Sequence, residues 1–266
     1  MRLGHAGPPF RAIHDSLVAI GDTIPWGLLD PSTIALPLLI EMRTHWAYRV
    51  TTELRSVQVM TRFMGDVVAA GDPLEVYAGA ADAIADELRH TALCVGVVER
   101  LGVVVELPEP LDERAPDEFL ALPAAQRALA TAVSMLAISE TISFALIEDL
   151  RSRCTHPTLR AVLERTLADE DAHHYGWAYV KASLARFDGS ADDYAREVAA
   201  VTLEPHLAEL RAFRAALPAD QRVLSGWPEP ERAHLGILGR ERQALVKQHA
   251  IEQVLLPRLD ALGIAP

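Results

Sequence analysis

The chain has 266 residues, half of them apolar and 23% charged, with a net charge of −12. That is enough apolar material for one large core, or a core with an appendage, and the wrong sign for a nucleic-acid backbone or an anionic membrane surface. Cys94 and Cys154 are the only cysteines, which excludes a disulfide scaffold and a cysteine-rich zinc site, so a metal site here has to be built from carboxylates and imidazoles.

Residues 1–37 hold five prolines and acidic residues between short apolar runs, without a basic-then-apolar leader, and no apolar run in the chain reaches membrane-spanning length. The expected setting is cytoplasmic, with no membrane and no nucleic acid among the partners. This first segment reads as a strap with one short helix around Arg11 to Ile20. From about Leu38 to Ala69 the apolar residues Trp46, Val50, Val57, Met60 and Met64 recur at three- and four-residue steps, which predicts a long amphipathic helix whose stripe also carries Glu53. Ala70-Gly71-Asp72-Pro73 is a stop-and-turn signal, and Pro73 opens a second helix that runs to about Leu101 and carries Glu87 and His90. Residues 102–122, rich in proline and acids, break the pattern. A third helix from about Ala124 to Arg153 carries Glu140, and after Cys154-Thr155-His156-Pro157 a fourth, to about Phe187, carries Glu170 and His173. Asp192 to Leu217 and Glu231 to Leu262 read as two further helices.

A Glu and a His three residues apart on a helix point the same way and can hold one metal ion between them. The chain has 20 glutamates and 10 histidines, so about one Glu-x-x-His arises by chance and the motif needs a second test. Antiparallel helices set two residues at the same height when the turn lies midway between them. Glu53 and Glu87 are centred on residue 70 and Glu140 and Glu170 on residue 155, and both centres fall on predicted turns. Each arm is then about 15 residues, or roughly 22 Å, which puts the four carboxylates near the middle of long helices. Their burial is severely unfavourable unless cations neutralise them. The third match, Glu231 to His234, follows Pro230 and lacks such an arm, so it reads as a helix start with a surface histidine. The link of about 20 residues spans up to about 66 Å, enough for one crossover along a bundle.

In these residues the chain resembles the ferritin-like di-iron carboxylate proteins, which place one Glu on each of two helices and a Glu-x-x-His on each of the other two. The resemblance covers about residues 38–187. It implies an all-α fold: a ferritin-like four-helix bundle with one long crossover, an N-terminal strap (1–37) and a C-terminal helical extension (188–266) in a single domain. It also implies that Glu53, Glu87, His90, Glu140, Glu170 and His173 bind two iron ions, with Mn/Fe as a variant, that Glu87 and Glu170 bridge them, and that Asp86 and Asp169 hydrogen-bond ligand histidines. Arg89 fits either a counter-charge to this cluster or an exposed salt bridge. Cys94 stands where ribonucleotide reductase small subunits commonly carry a radical tyrosine, and Thr166 where arylamine N-oxygenases carry an additional histidine. The expected activity is oxidation or oxygenation of a small organic substrate with O2 and an external electron donor. The alternatives are a ferroxidase, iron-storage or oxidative-stress protein, and a helical interaction protein with a structural metal site. The two C-terminal helices fit either a cover for a substrate pocket or a homodimer interface.

Overall fold

The computed structural model of the protein describes residues 8–18, 23–104, 115–170, 175–216 and 229–266, and among them there are helices and turns but no strand. Helix α1 (Pro8–Val18) starts earlier than the sequence suggests. Single 3-10 turns at Trp26–Leu28 and Pro31–Thr33 follow, the second capped by Asp30, whose side chain accepts from the Ser32 amide at 2.9 Å. The Thr158 hydroxyl donates to the Pro25 carbonyl at 2.8 Å, tying these turns to the body.

Helices α2 (Leu36–Ala69) and α3 (Leu74–Arg100) form the expected hairpin and share the most extensive helix contact. Their turn is built on Gly71 in the left-handed region, at φ 70°, where a side chain is strained. The buried Asp72 beside it accepts from the Tyr179 hydroxyl at 2.9 Å and from Arg186. After the short α4 (Asp117–Leu120), a 30-residue rod runs from Ala124 to Arg153: α5 (Ala124–Thr131), a π-helical segment (Ala132–Ser139) and α6 (Glu140–Arg153). Within the π segment the Ser139 hydroxyl donates to the Ser134 carbonyl five residues back, at 2.9 Å. Among the described residues this rod is the one helix long and apolar enough to cross a membrane, and 56% of its apolar window is buried inside the protein, as for a core helix.

Helices α7 (Pro157–Glu170) and α8 (Tyr175–Phe187) lie on either side of residues 171–174, which fall outside the description together with His173. Helix α9 (Asp192–Ala216) accommodates Pro205. The predicted helix from Glu231 to Leu262 is corrected: α10 (Glu229–His234) ends at Gly236, which takes φ 63°, and the Gly236 and Ile237 amides close the end by donating to the Ala233 and Arg232 carbonyls. The chain resumes as α11 (Arg240–His249), which runs through a π segment (Ala250–Leu255) into α12 (Leu256–Ala261). His234 is exposed at the end of α10, as the sequence suggests.

The core is divided. One apolar cluster contains Met60, Phe63, Val67, Ala80 and Ala83 with the π segment, α8 and α9; the other contains Met42, Trp46, Val50, Leu93 and Val97 with α7 and Leu235. On α2 the break between clusters falls between Val50 and Met60, and on α3 between Ala83 and Leu93. Glu53, Glu87 and His90 occupy those breaks, so a polar layer crosses the middle of the hairpin.

Gly176 lets α8 approach the π segment. A Cβ there would stand 2.6 Å from Leu136 Cβ and 2.7 Å from the Leu136 carbonyl oxygen, a clash with backbone that no rotamer relieves. Gly176→Ala is expected to lower stability by roughly 1–3 kcal/mol through overpacking, read as a lower denaturant midpoint.

Candidate metal centre

Position along α2 and α3 decides which side chains meet. Glu53 on α2 and Glu87 on α3 lie equally far from the turn at Ala70, and Glu87 and His90 lie one helical turn apart on the facing side of α3. One donor atom from each of Glu53, Glu87 and His90 lies within 4.8 Å of the others, the one such group among the described residues, and it can hold a metal ion. His90 Nδ1 faces both carboxylates, at 3.9 Å from Glu53 Oε2 and 3.8 Å from Glu87 Oε2. These gaps exceed a hydrogen bond, so the attraction across them is Coulombic. His90 is fully buried, and Glu87 is 2% exposed.

Glu140 follows the π segment directly and is buried. It lies outside the 4.8 Å group but close enough to act on Glu87. Burial pushes the Glu87 carboxyl up to about 8; the neighbouring charges of Glu140 and Glu53 add to the rise, against the opposing pull of His90. For His90 burial works the other way, favouring the neutral ring, but Asp169, Glu87 and Glu53 outweigh it and push the imidazole up to about 10. Glu170 is the last residue of α7, and its side chain, like His173, lies outside the described residues.

The two aspartates are joined by Arg89. Its guanidinium lies 2.6 Å from Asp86 Oδ1 and 2.8 Å from Asp169 Oδ2, while Arg165 holds the other Asp169 oxygen at 3.0 Å. Asp169 reaches from α7 to the histidine of the other hairpin, with Oδ2 3.4 Å from His90 Nε2. Burial works to raise the Asp169 carboxyl, but His90 and Arg89 prevail and hold it below its ordinary value. An anion on Nε2 leaves Nδ1 aimed at Glu53 and Glu87, the orientation a metal-binding imidazole needs. Of the two readings of Arg89, its half-buried bridge across both aspartates matches the counter-charge.

One feature of the layer went unseen in the sequence. Arg49, one turn before Glu53, is buried and places Nη2 3.0 Å from Glu53 Oε1; its signal was a charge within an apolar stripe beside Trp46. Cys94 lies one turn beyond His90, where burial pushes the thiol up to about 12 and keeps it neutral.

The donor set suits a hard or borderline divalent ion. It is rich in oxygen, it has one imidazole, and Glu87 Oε2 is buried without a hydrogen-bond partner. A buried acceptor left unsatisfied is costly in a fold that satisfies Asp72, an acid of similar burial, with two donors. The chain matches no family model, and neither curated proteins nor solved structures give a significant match.

Proposed function

We propose that this protein is a ferritin-like di-iron enzyme that uses O2 to oxidise or oxygenate a small organic molecule. The observation that carries it is the convergence of Glu53, Glu87 and His90 in a buried polar layer, with Asp169 behind the imidazole. In this reading Glu53, Glu87 and His90 would hold one iron, and Glu140, Glu170 and His173 would hold the other. When bound, the ferrous pair supplies electrons to O2, and an external reductase or co-substrate replaces them.

The rest is the work of the chain. Asp169 keeps the His90 ring turned so that Nδ1 faces the ligands, and Arg89 keeps Asp169 ionised. The apolar clusters on either side of the layer exclude water from it. A cavity of about 680 Å³ between α2, the π segment and α9 offers room for a substrate, within the size range of small-molecule sites. It is lined mainly by apolar groups, among them Val59, Phe119, Met135 and Val198, and it reaches Ser139, the neighbour of Glu140. Helix α9 forms one wall, which gives a role to the part of the chain beyond the four principal helices.

Anaerobic loading with Fe(II) tests the centre. The native chain is expected to take up two irons and to consume O2 faster in the presence of a reductant and a fitting organic compound, whereas Glu87→Ala loses iron and O2 uptake together. Two irons retained by Glu87→Ala would sink the assignment. Turnover of iron alone within a closed multi-subunit shell would assign the site to iron oxidation instead.

A further inference from the structure

The two oxygens of Glu53 have different surroundings. Oε2 faces His90 Nδ1 at 3.9 Å, whereas Oε1 is held by Arg49 Nη2 at 3.0 Å. Arg49 is itself fixed. Its guanidinium lies over the Trp46 ring, with Cζ 5.2 Å from the centroid, and Trp46 is fully buried, so the platform beneath the cation has no room to shift. Spacing makes the arrangement local: Trp46, Arg49 and Glu53 stand three and four residues apart on one face of α2. A planar guanidinium is weakly hydrated and stacks on an aromatic face while donating from its edge, which an ammonium group cannot reproduce. A buried cation is tolerated where a carboxylate pairs with it, and Glu53 Oε1 supplies such a pairing to Arg49.

We propose that Arg49 is a positioning residue that restricts Glu53 to metal binding through Oε2 alone, keeping a coordination position on that ion open. This rests on the metal-site reading above. A carboxylate free of such a partner can close onto an ion through both oxygens and fill the position that a small molecule would otherwise take. With Oε1 engaged, the position is left to an exchangeable water, and so to whatever displaces it. The charge of Arg49 also offsets one of the carboxylates in the layer, so its removal is expected to tighten the grip of Glu53 on a cation.

Mn(II) is the probe, because water-proton relaxation reports exchangeable water on the bound ion and does not require turnover. The full chain and Arg49→Met are titrated with Mn(II) alone, with binding followed separately by the loss of free-ion electron paramagnetic resonance signal. The expected result is equal or tighter Mn(II) binding by Arg49→Met with a loss of relaxivity per bound ion, as Glu53 closes through both oxygens. Equal relaxivity per bound ion in the two proteins overturns the proposal. Should Arg49→Met not fold, Arg49→Lys keeps the charge without the stacked fork and is expected to lose relaxivity in the same direction; native relaxivity in that variant is equally fatal. If the native chain binds no Mn(II) and no Fe(II), the metal centre itself is lost, a failure distinct from uptake with unchanged relaxivity.

Discussion

Glu87→Met is expected to raise the melting temperature of the metal-free protein while abolishing metal uptake. Glu87 is 2% exposed, its Oε2 has no hydrogen-bond partner, and burial among Glu140 and Glu53 pushes its carboxyl up to about 8. A buried acceptor left unsatisfied costs about 1–3 kcal/mol, and methionine fills a similar volume with a flexible apolar chain. Removing the carboxyl therefore returns stability of that order, a gain of several degrees at roughly 2–4 °C per kcal/mol. Asp72 supplies the control. It is also buried, but Tyr179 and Arg186 both donate to it, and it locks the α2–α3 turn to α8. Asp72→Leu leaves those two donors without their acceptor and is expected to lower the melting temperature. Thermal melts in the presence of a chelator separate the two acids: opposite signs mark Glu87 as kept for a ligand and Asp72 as kept for the fold. A destabilised Glu87→Met would instead make Glu87 a structural group and remove the principal support for the metal centre.

The distinction between those two acids was only half legible in the sequence. That Glu53 and Glu87 share a height followed from counting residues to Ala70, because an antiparallel hairpin converts sequence separation into position. What counting cannot supply is the partner of a side chain. Asp72 reads as a turn residue and Glu87 as a helical one, but only the packing of α8 on the turn gives Asp72 its two donors. The pairing of Asp169 with the histidine of the other hairpin likewise depends on the rotation of α7 about its axis, which a helical period leaves free. The π segment was hidden for another reason: Ala132 to Ser139 is so apolar that a period of 3.6 and a wider one fit it equally well. The end of α10 had a visible signal in Gly236, but the charged periodicity on either side of it favoured one continuous helix. A charge in a core stripe, such as Arg49, usually belongs to a side chain that reaches for solvent. Here it turns inward to Glu53.

The stability of the metal-free and metal-loaded protein is expected to diverge as pH rises. Glu87 has an ordinary value of 4.5 and rises to about 8 in the fold. Between those values the folded protein holds the proton more tightly than the unfolded chain, so the contribution is fully present below 4.5 and is lost as pH rises through about 8. His90 moves in the same direction, from 6.5 to about 10, so its contribution is present below 6.5 and is lost as pH rises through about 10. His45 has the opposite sign. Burial, with Arg49 nearby, pushes it down to about 3 from 6.5, so the unfolded chain takes up the proton first and stability falls as pH drops below 6.5. The metal-free protein is therefore most stable in mildly acid solution, and its melting temperature declines from about pH 6 to about pH 9. A divalent ion competes with the protons on Glu87 and His90, so its stabilisation grows as those protons leave, over the same interval. Melts with chelator and with saturating Mn(II) across that interval are expected to diverge, with the metal-free curve falling and the gap between them widening. A metal-free melting temperature that rises over the interval, or a constant gap, would show that the buried glutamate and histidine are not the groups that exchange protons for metal.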